Sequence, residues 1–459
     1  MRETLGLDLI RKAFHRQNVE RIPWVPFVGC HAAQLIGKNA DEYLKSTELM
    51  VEGVSKAIEL YQPDGIPVAF DLQIEAEALG CKLHWSDVNP PSVTSHPLLE
   101  GVKLENLKVP CACKGRIPVV LETTRLLRDQ HPDIALYGLI TGPFTLALHL
   151  LGTDIFMKMF EDPDYVEELM LFTTKVATSM AEHYIQAGCD VIAVVDPMIS
   201  QIDPDSFSTF VKSHTTNLFN SIREADALSS YFVCGNATQN IDLMCACGPD
   251  NISIDENIDL KLVKATADKH QISFGGNIKL TVVLLMGTTE DAQRDALECM
   301  DIGGKQGFIL APGCDLAMAT PIENIQAISE LNRNELLQGE LRAHAAKAHE
   351  VEKLDLTEHW SEHKVMIDII TLDSSSCAPC QYMVDAVERA SQKFGEQVIF
   401  KEHRIKEAEG VQMMVSLGVR NLPTIVIDGN IEFISQIPPL AKIEERIAFY
   451  LEKKKVLIL

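Results

Sequence analysis

The chain has 459 residues, 46% hydrophobic and 23% charged, which is typical of a globular protein with more than one hydrophobic core. Its formal net charge of −24 argues against nucleic acid or an anionic membrane as a partner, because both require basic surface. No apolar run approaches the ~18 residues of a membrane span, and the charged N-terminus has no apolar signal core, so we expect a cytoplasmic protein.

Short apolar runs alternate with longer helical patterns between about residue 20 and residue 330. The runs that predict strands are 22–27, 65–70, 135–140, 190–195, 231–234, 251–254, 272–276 and 307–310. Because helix-like sequence follows each of them, they predict an α/β protein with a (β/α)8 TIM barrel over residues 1–335. A doubly wound open sheet is the alternative, although no Gly-x-Gly-x-x-Gly turn follows an early strand.

Several predicted strands end in residues with useful chemistry. These residues are Asp71, Asp196, Cys234, Asp255, Glu256 and Cys314. In a (β/α)8 barrel the carboxyl ends of the strands carry the active site. Asp196 and Asp71 are therefore candidate catalytic residues that orient the substrate or other site groups, and the alternative for both is a helix cap or a buried hydrogen bond.

The chain has twelve cysteines, which without a secretory signal favour metal binding or redox catalysis over structural disulfides. Cys234 and Cys314 each end a predicted strand, and two thiolates that meet at a barrel mouth favour zinc over magnesium. The alternative is that both are small buried hydrophobic residues. For the Cys-x-Cys pairs at 111–113 and 245–247 we expect structural or incidental roles.

The C-terminal part begins with a charged, Ala-rich segment, 336–361, which predicts a helical linker. A predicted strand, 364–372, then leads into Cys377-Ala-Pro-Cys380 at the start of a helix, where the helix N-terminus lowers the pKa of the first thiol. Pro423 follows about forty residues later. These motifs resemble the thioredoxin superfamily, which implies a thioredoxin-like domain over 362–459 and a cis proline facing a redox-active disulfide. An inert or structural cysteine pair is the alternative.

Six stretches of the N-terminal part carry a recognisable series of motifs, in the order 71–80, 139–145, 188–197, 232–236, 313–315 and 320–324. Together they resemble the uroporphyrinogen decarboxylase superfamily, and most closely its corrinoid-dependent branch, the methylcobamide:coenzyme M methyltransferases. The resemblance implies a zinc enzyme that moves a methyl group from a methylated corrinoid protein to a small thiol or a tetrahydrofolate-like acceptor. No Asp-x-His-x-x-Gly run is present, so a partner protein would deliver the corrinoid.

The zinc motif of that branch is His-x-Cys-Gly at one strand end and Gly-Cys near the last strand. Cys234 and Cys314 match its two cysteines, whereas Phe232 occupies the histidine position and cannot bind metal. This departure leaves the third zinc ligand, or zinc itself, open.

Glu256 is the preferred third ligand, because it ends the next strand and could reach across the mouth. Asp255 is the alternative, since alternation on a strand sends only one of the two inward. Cys30 and His31, at the end of the first predicted strand, are reserve ligands.

The predicted function is thus zinc-dependent methyl transfer from a corrinoid. Its rivals are a non-catalytic thiol-redox or zinc-binding protein on a degenerate barrel, and a corrinoid-binding adaptor. Porphyrinogen decarboxylation is disfavoured, because the stretch 23–31 contains no arginine for the substrate's carboxylates. The C-terminal domain could keep the site cysteines reduced, reduce a disulfide form of the acceptor, or dock a partner.

Overall fold

The computed structural model describes residues 5–344, 353–356, 359–360, 363–375 and 377–458. The chain forms two compact units, Met1–Lys347 and Ala348–Leu459. In the described part of the chain, no helix combines the length and the apolar character needed to cross a membrane.

The first unit alternates strands and helices. Its strands are β1 (Gly65–Pro67), β2 (Leu83–His84), β3 (Ser92–Val93), β4 (Ala135–Thr141), β5 (Val191–Val195), β6 (Leu228–Val233), β7 (Asn251–Ile254), β8 (Ser273–Ile278) and β9 (Phe308–Pro312). Its helices are α1 (Gly6–Phe14), α2 (His31–Leu35), α3 (Ala40–Tyr43), α4 (Thr47–Tyr61), α5 (Ile74–Ala78), α6 (Ile117–Gln130), α7 (Pro143–Leu151), α8 (Asp154–Glu161), α9 (Pro163–Ala187), α10 (Pro204–Phe210), α11 (Lys212–Glu224), α12 (Ile241–Ala246), α13 (Leu260–His270), α14 (Thr289–Gly303), α15 (Ile322–Arg333) and α16 (Glu335–Ala343).

The main sheet of this unit is parallel and has the order β1-β4-β5-β6-β7-β8-β9. Every residue of β4 and β5 is buried, as expected for strands of a parallel sheet covered on both faces. The order follows the chain without reversal, which differs from a doubly wound sheet. The α/β class is thereby confirmed, with a curled parallel sheet consistent with a TIM-barrel-like fold.

The predicted strand 22–27 forms an isolated bridge instead of a regular strand. Trp24 pairs in parallel with Leu310 of β9, and its carbonyl accepts a hydrogen bond of 2.8 Å from the N–H of Asp64, just before β1. This segment therefore links the two edges of the sheet. Pro23 and Pro26 flank the bridge, and because proline has no N–H they interrupt the ladder.

The second unit contains a four-stranded sheet, three α-helices and one turn of 3-10 helix (Gly395–Gln397) within its described residues. The strands are β10 (Val365–Thr371), β11 (Val398–Arg404), β12 (Thr424–Ile427) and β13 (Asn430–Ile434), and the helices are α17 (Ala378–Gln392), α18 (Ala408–Ser416) and α19 (Leu440–Ile458). The sheet order is β11-β10-β12-β13, with β11 parallel to β10 and β12 antiparallel to both of its neighbours. Ile367 and Ile369 of β10 pack in a buried cluster with Met383 of α17 and Ile443 of α19.

Of the predicted linker, 336–361, the first part lies in α16, and residues 345–352, 357–358 and 361–362 lie outside the described residues. The predicted strand 364–372 corresponds to β10, and a helix follows the Cys377-x-x-Cys380 motif as expected.

Candidate functional site

Two free cysteines meet at the carboxyl end of the parallel sheet. Cys234 directly follows β6, and Cys314 lies two residues beyond the end of β9. Their sulfur atoms are 2.7 Å apart, and Cys314 is buried while Cys234 is half-buried. The hydrogen bond between the thiols, together with burial, raises the pKa of Cys234 well above its usual range. The Cys234 thiol is therefore protonated at neutral pH.

Two adjacent acidic residues after β7, Asp255 and Glu256, lie beside the glycines that are next to Cys234 and Cys314 in the sequence. Asp255 accepts a hydrogen bond of 2.8 Å from the N–H of Gly235. Glu256 lies against Gly313, where an added Cβ atom would come within 2.5 Å of the Glu256 nitrogen, so only glycine permits this approach. The Glu256 carboxylate accepts a hydrogen bond from the N–H of Leu280, and burial raises its pKa to about 8.

The donor atoms fit zinc by their chemistry, because two soft sulfurs lie together with carboxylates close by. Among the described residues, no third ligand atom of a Cys, His, Asp or Glu lies within 4.8 Å of both sulfurs. The structure thus brings Cys234 and Cys314 together, while the Glu256 side chain is engaged with a backbone amide. The identity of a third ligand stays a proposal.

The reserve ligands Cys30 and His31 are buried at the start of α2. The Nε2 atom of His31 lies 2.6 Å from the hydroxyl of Tyr61, and its Nδ1 atom lies 3.0 Å from the carbonyl oxygen of Met318. Burial lowers the pKa of His31, which favours a neutral ring. Both ring nitrogens are already hydrogen-bonded, so this imidazole is anchored within the protein.

Phe232, which replaces the histidine of the zinc motif, is part of an aromatic cluster. Its ring centroid lies 5.0 Å from that of Phe27 and 5.9 Å from that of Phe70, and all three side chains are buried. Residues two apart on a strand share a face, so Phe232 and Cys234 point to the same side of β6. The cluster therefore lies on the side of β6 to which Cys234 points.

Asp196 follows β5 and holds the first turn of α7. Its carboxylate accepts hydrogen bonds from the N–H of Phe144, from the N–H of Thr145 and from the hydroxyl of Thr145, at 3.2, 2.8 and 2.6 Å. These N–H groups have no partner within their own helix, so the aspartate caps it from a neighbouring strand. Burial raises the pKa of Asp196 to about 6. In this structure the residue acts as a cap.

Asp71 lies beyond β1 and is paired with a buried arginine. One carboxylate oxygen accepts from Nη1 of Arg116, and the other accepts from the N–H of Gln73 at 2.8 Å. Arg116 also donates from Nε to Glu77 at 2.7 Å, and its guanidinium lies 4.7 Å from the ring centroid of Trp85. The arginine thus ties together the residues after β1 and the start of α6.

Sequence reasoning missed Glu75, which is 1% exposed. Its two oxygens accept hydrogen bonds from the N–H and the hydroxyl of Thr141, at 3.0 and 2.8 Å. Burial raises the pKa of Glu75 to about 7, and the charge of nearby Asp71 acts in the same direction. No pattern in the sequence distinguishes this residue from an exposed helical glutamate.

The second unit places the redox candidates at the start of α17. Cys377 caps this helix and is joined by a disulfide to Cys380, which is buried, whereas Cys377 is partly exposed. The peptide bond between Leu422 and Pro423 is cis and immediately precedes β12. The more accessible thiol at a helix N-terminus is the one suited to attack another disulfide.

The remaining cysteine pairs differ from one another. Cys111 and Cys113 are joined by a disulfide in an exposed segment before α6. Cys245 and Cys247 are free and buried in and just after α12, where the thiol of Cys247 lies 3.3 Å from the carbonyl oxygen of Leu243. The Cys247 thiol also lies 3.8 Å from the carbonyl oxygen of Lys212, at the start of α11.

The known proteins that the chain resembles support the fold described above. The family described as Uroporphyrinogen decarboxylase (URO-D) matches residues 6–334. The methylcobamide:CoM methyltransferase MtbA of Methanosarcina acetivorans is 26% identical over 341 residues, which cover 73% of this chain and 99% of the relative. The methylcobamide:CoM methyltransferase MtaA of Methanosarcina barkeri is 30% identical over 300 residues, covering 64% of this chain and 86% of the relative.

A solved structure described as a methyltransferase from Methanosarcina mazei superimposes with a TM-score of 0.67 at 28% identity. The match covers 73% of this chain and all of that protein.

Proposed function

We infer that this chain, which belongs to the uroporphyrinogen decarboxylase family, is a methylcobamide-dependent methyltransferase. The inference follows from its similarity to methylcobamide:CoM methyltransferases and to a solved methyltransferase structure. The observation that carries the detailed proposal is the meeting of Cys234 and Cys314 at the carboxyl end of the sheet. In this fold the active site lies at that end.

We propose that Cys234 and Cys314 hold zinc, with Glu256 as the third protein ligand and Asp255 as its alternative. A zinc ion bound there would keep an acceptor thiol deprotonated at neutral pH. To serve as ligand, Glu256 would exchange its hydrogen bond with Leu280 for the metal. A zinc ion held by three anionic ligands would bind an incoming thiolate less tightly than a zinc ion held by two thiolates and a neutral histidine.

The chain's own residues supply the surroundings of the reaction. The aromatic cluster of Phe27, Phe70 and Phe232 lies on the side of β6 to which Cys234 points. We propose that it limits the access of water from that side, which would strengthen electrostatic interactions there. Asp196 fixes the start of α7, and the Asp71–Arg116 pair fixes the segment between β1 and α5. Both aspartates therefore act by positioning the loops around the mouth.

We propose a corrinoid protein as methyl donor and a small thiol as acceptor, with a tetrahydrofolate-like acceptor as the alternative. The acceptor sulfur attacks the methyl carbon of the methylcobamide, the cobalt–carbon bond breaks, and both bonding electrons remain with cobalt. The acceptor thiol releases its proton to solvent water before this step.

The C-terminal unit is proposed to be a thioredoxin-like domain that keeps the site cysteines reduced. The support is the β11-β10-β12-β13 order, the Cys377–Cys380 pair at the start of α17 and the cis Pro423 before β12. Reduction of a disulfide form of the acceptor, or docking of a partner, are the other roles open to it.

The test measures zinc content and methyl transfer from methylcobalamin to small thiols in the purified full-length chain. We expect Cys234→Ser and Cys314→Ser each to lose one zinc equivalent relative to the parent and to lower transfer by more than about a hundredfold, as expected when an essential ligand is removed. Cys189→Ala is the matched control, because this buried free thiol precedes β5 at the opposite end of the sheet.

Retention of both zinc and transfer in Cys234→Ser would contradict the assignment. A parent without transfer, but with reversible thiol oxidation or bound zinc, would favour the rival thiol-redox or zinc-binding protein. Decarboxylation of a porphyrinogen, assayed in parallel, would support the porphyrinogen decarboxylase activity that the sequence disfavours.

A further inference from the structure

The second unit contains a cluster of potential metal ligands that lies apart from the cysteines. His359, Asp368 and His403 each place one ligand atom within 4.8 Å of the others. The Nε2 atom of His359 lies 2.9 Å from Oδ1 of Asp368, and the Nε2 atom of His403 lies 2.8 Å from the same oxygen. In the described parts of the chain, no other group of three such side chains meets this spacing.

The sheet explains how two of these residues meet. Asp368 lies in the middle of β10 between Ile367 and Ile369, which point into the core beneath α17 and α19. By alternation, Asp368 points to the opposite face. His403 of β11 is paired in parallel register with Ile370, two residues beyond Asp368, so it lies on that same face.

His359 comes from the segment that precedes β10. Its ring lies 4.6 Å from that of Trp360, measured between centroids, and Trp360 in turn packs close to Gly429 at the turn between β12 and β13. The side chain of His359 is 18% exposed, whereas those of Asp368 and His403 are 0% and 2% exposed. The cluster is therefore buried on the sheet side and reachable from solvent on the His359 side.

A fully buried carboxylate requires a compensating partner, because transfer of an isolated charge from water into the interior is strongly unfavourable. The Asp368 carboxylate has the two imidazoles of His359 and His403 as hydrogen-bonding neighbours. Both rings turn the same nitrogen, Nε2, towards the same carboxylate. Two imidazole nitrogens and one carboxylate oxygen that converge in this way form a donor set used for divalent transition metals.

We propose that His359, Asp368 and His403 form a binding site for a divalent transition-metal ion of the zinc class. The three side chains supply two nitrogens and one oxygen, and the exposed side of His359 leaves a further position for water. Because neutral imidazole is the ligand form, an Nε2 atom that binds the metal carries no proton. The ion would fasten the segment of His359 and Trp360 to β10 and β11.

The experiment uses the full-length Cys234→Ser/Cys314→Ser double variant, purified without reductant so that the Cys377–Cys380 disulfide stays closed. Titration with Co²⁺, followed by visible absorption, is expected to fill one site that shows ligand-field bands and no sulfur-to-cobalt charge-transfer band. Addition of Zn²⁺ should displace the cobalt. Because the double variant lacks the thiols of Cys234 and Cys314, the result does not depend on zinc binding or methyl transfer in the first unit.

His359→Gln and His403→Gln, each in the same background, should weaken cobalt binding by more than about a hundredfold, since loss even of groups that only orient ligands weakens metal binding ~10–100-fold. His270→Gln is the matched control, because this imidazole also lies 2.9 Å from a carboxylate, that of Asp242, but at the surface. The proposal is overturned if the parent double variant binds no cobalt, or if both Gln variants retain the spectrum. Circular dichroism, with His359→Gln as the partly exposed variant, separates ligand loss from unfolding.

Discussion

The sulfur atoms of Cys234 and Cys314 lie 2.7 Å apart although the residues are 80 positions apart in the chain. They follow β6 and β9, between which the sheet places β7 and β8, so the contact arises from the curl of the sheet. The separation exceeds the ~2.05 Å of a disulfide bond, and both residues are free. Two thiols at this separation can bind the same metal ion or, after oxidation, form a disulfide.

We therefore predict that mild oxidation inactivates the enzyme reversibly. A stoichiometric amount of diamide should accept two electrons and two protons from the pair, close a Cys234–Cys314 disulfide and abolish methyl transfer, and dithiothreitol should restore it. Zinc loaded beforehand should slow inactivation, because thiolates bound to zinc are less available. Peptide mapping by mass spectrometry checks the linkage. Inactivation without a 234–314 linked peptide would contradict the prediction.

The C-terminal disulfide leads to a second prediction. Cys377→Ser should leave methyl transfer unchanged when excess reductant is present, and should make activity decay several-fold faster in air without it. The reason is that the attacking thiol of the proposed reducing pair is lost. Cys113→Ser is the control, because it removes the other disulfide of the structure. If Cys377→Ser lowered methyl transfer as much with excess reductant as without it, the result would favour the docking role.

The substitution Phe232→His tests whether a histidine at position 232 can bind the proposed zinc ion. The side chain at 232 points to the same side of β6 as Cys234, so we expect an imidazole there to make zinc harder to remove with a chelator. Since Phe232 is 1% exposed, the change should lower the free energy of unfolding by about 1–3 kcal/mol. Phe232→Leu should destabilise similarly without changing zinc retention. Equal zinc loss from the parent, the His variant and the Leu variant would show that position 232 does not face the metal.

Position at a strand end was visible in the sequence, and it sufficed to single out Cys234, Cys314, Glu256, Asp71 and Asp196. The partners of these residues were not visible. Asp196 caps α7, which begins about fifty residues earlier in the chain, and such pairing depends on the three-dimensional neighbourhood. The sequence also could not show that the Glu256 carboxylate turns to the N–H of Leu280.

In the second unit, too, local features were visible in the sequence and contacts between distant segments were not. The Cys377-x-x-Cys380 motif and Pro423 are local patterns, so their positions at a helix start and before a strand were predicted. The His359–Asp368–His403 cluster joins three separate segments, and its one local signal was an aspartate within the apolar run of β10. In the first unit, the predicted strand 22–27 became a bridge because its prolines interrupt the hydrogen-bond ladder.

Glu75 gives a pH dependence of stability. Its pKa is raised by burial from the ordinary value of 4.5 to about 7 in the folded protein, so the folded state binds the proton more tightly than the unfolded state. The contribution of this residue to stability is therefore present below about pH 4.5 and is lost as the pH rises through about 7. The difference corresponds to at most about 3 kcal/mol.

Glu75→Gln removes this titration, and its amide oxygen can still accept from Thr141. We expect the free energy of unfolding of the variant to exceed that of the parent progressively between about pH 4.5 and pH 7, and by a constant amount above that range. Urea unfolding at a series of pH values measures the effect. Glu52→Gln, on the exposed face of α4, is the control for removing one carboxylate. A difference between Glu75→Gln and parent that stays constant across this pH range would show that Glu75 ionises in the folded protein as it does in the unfolded chain.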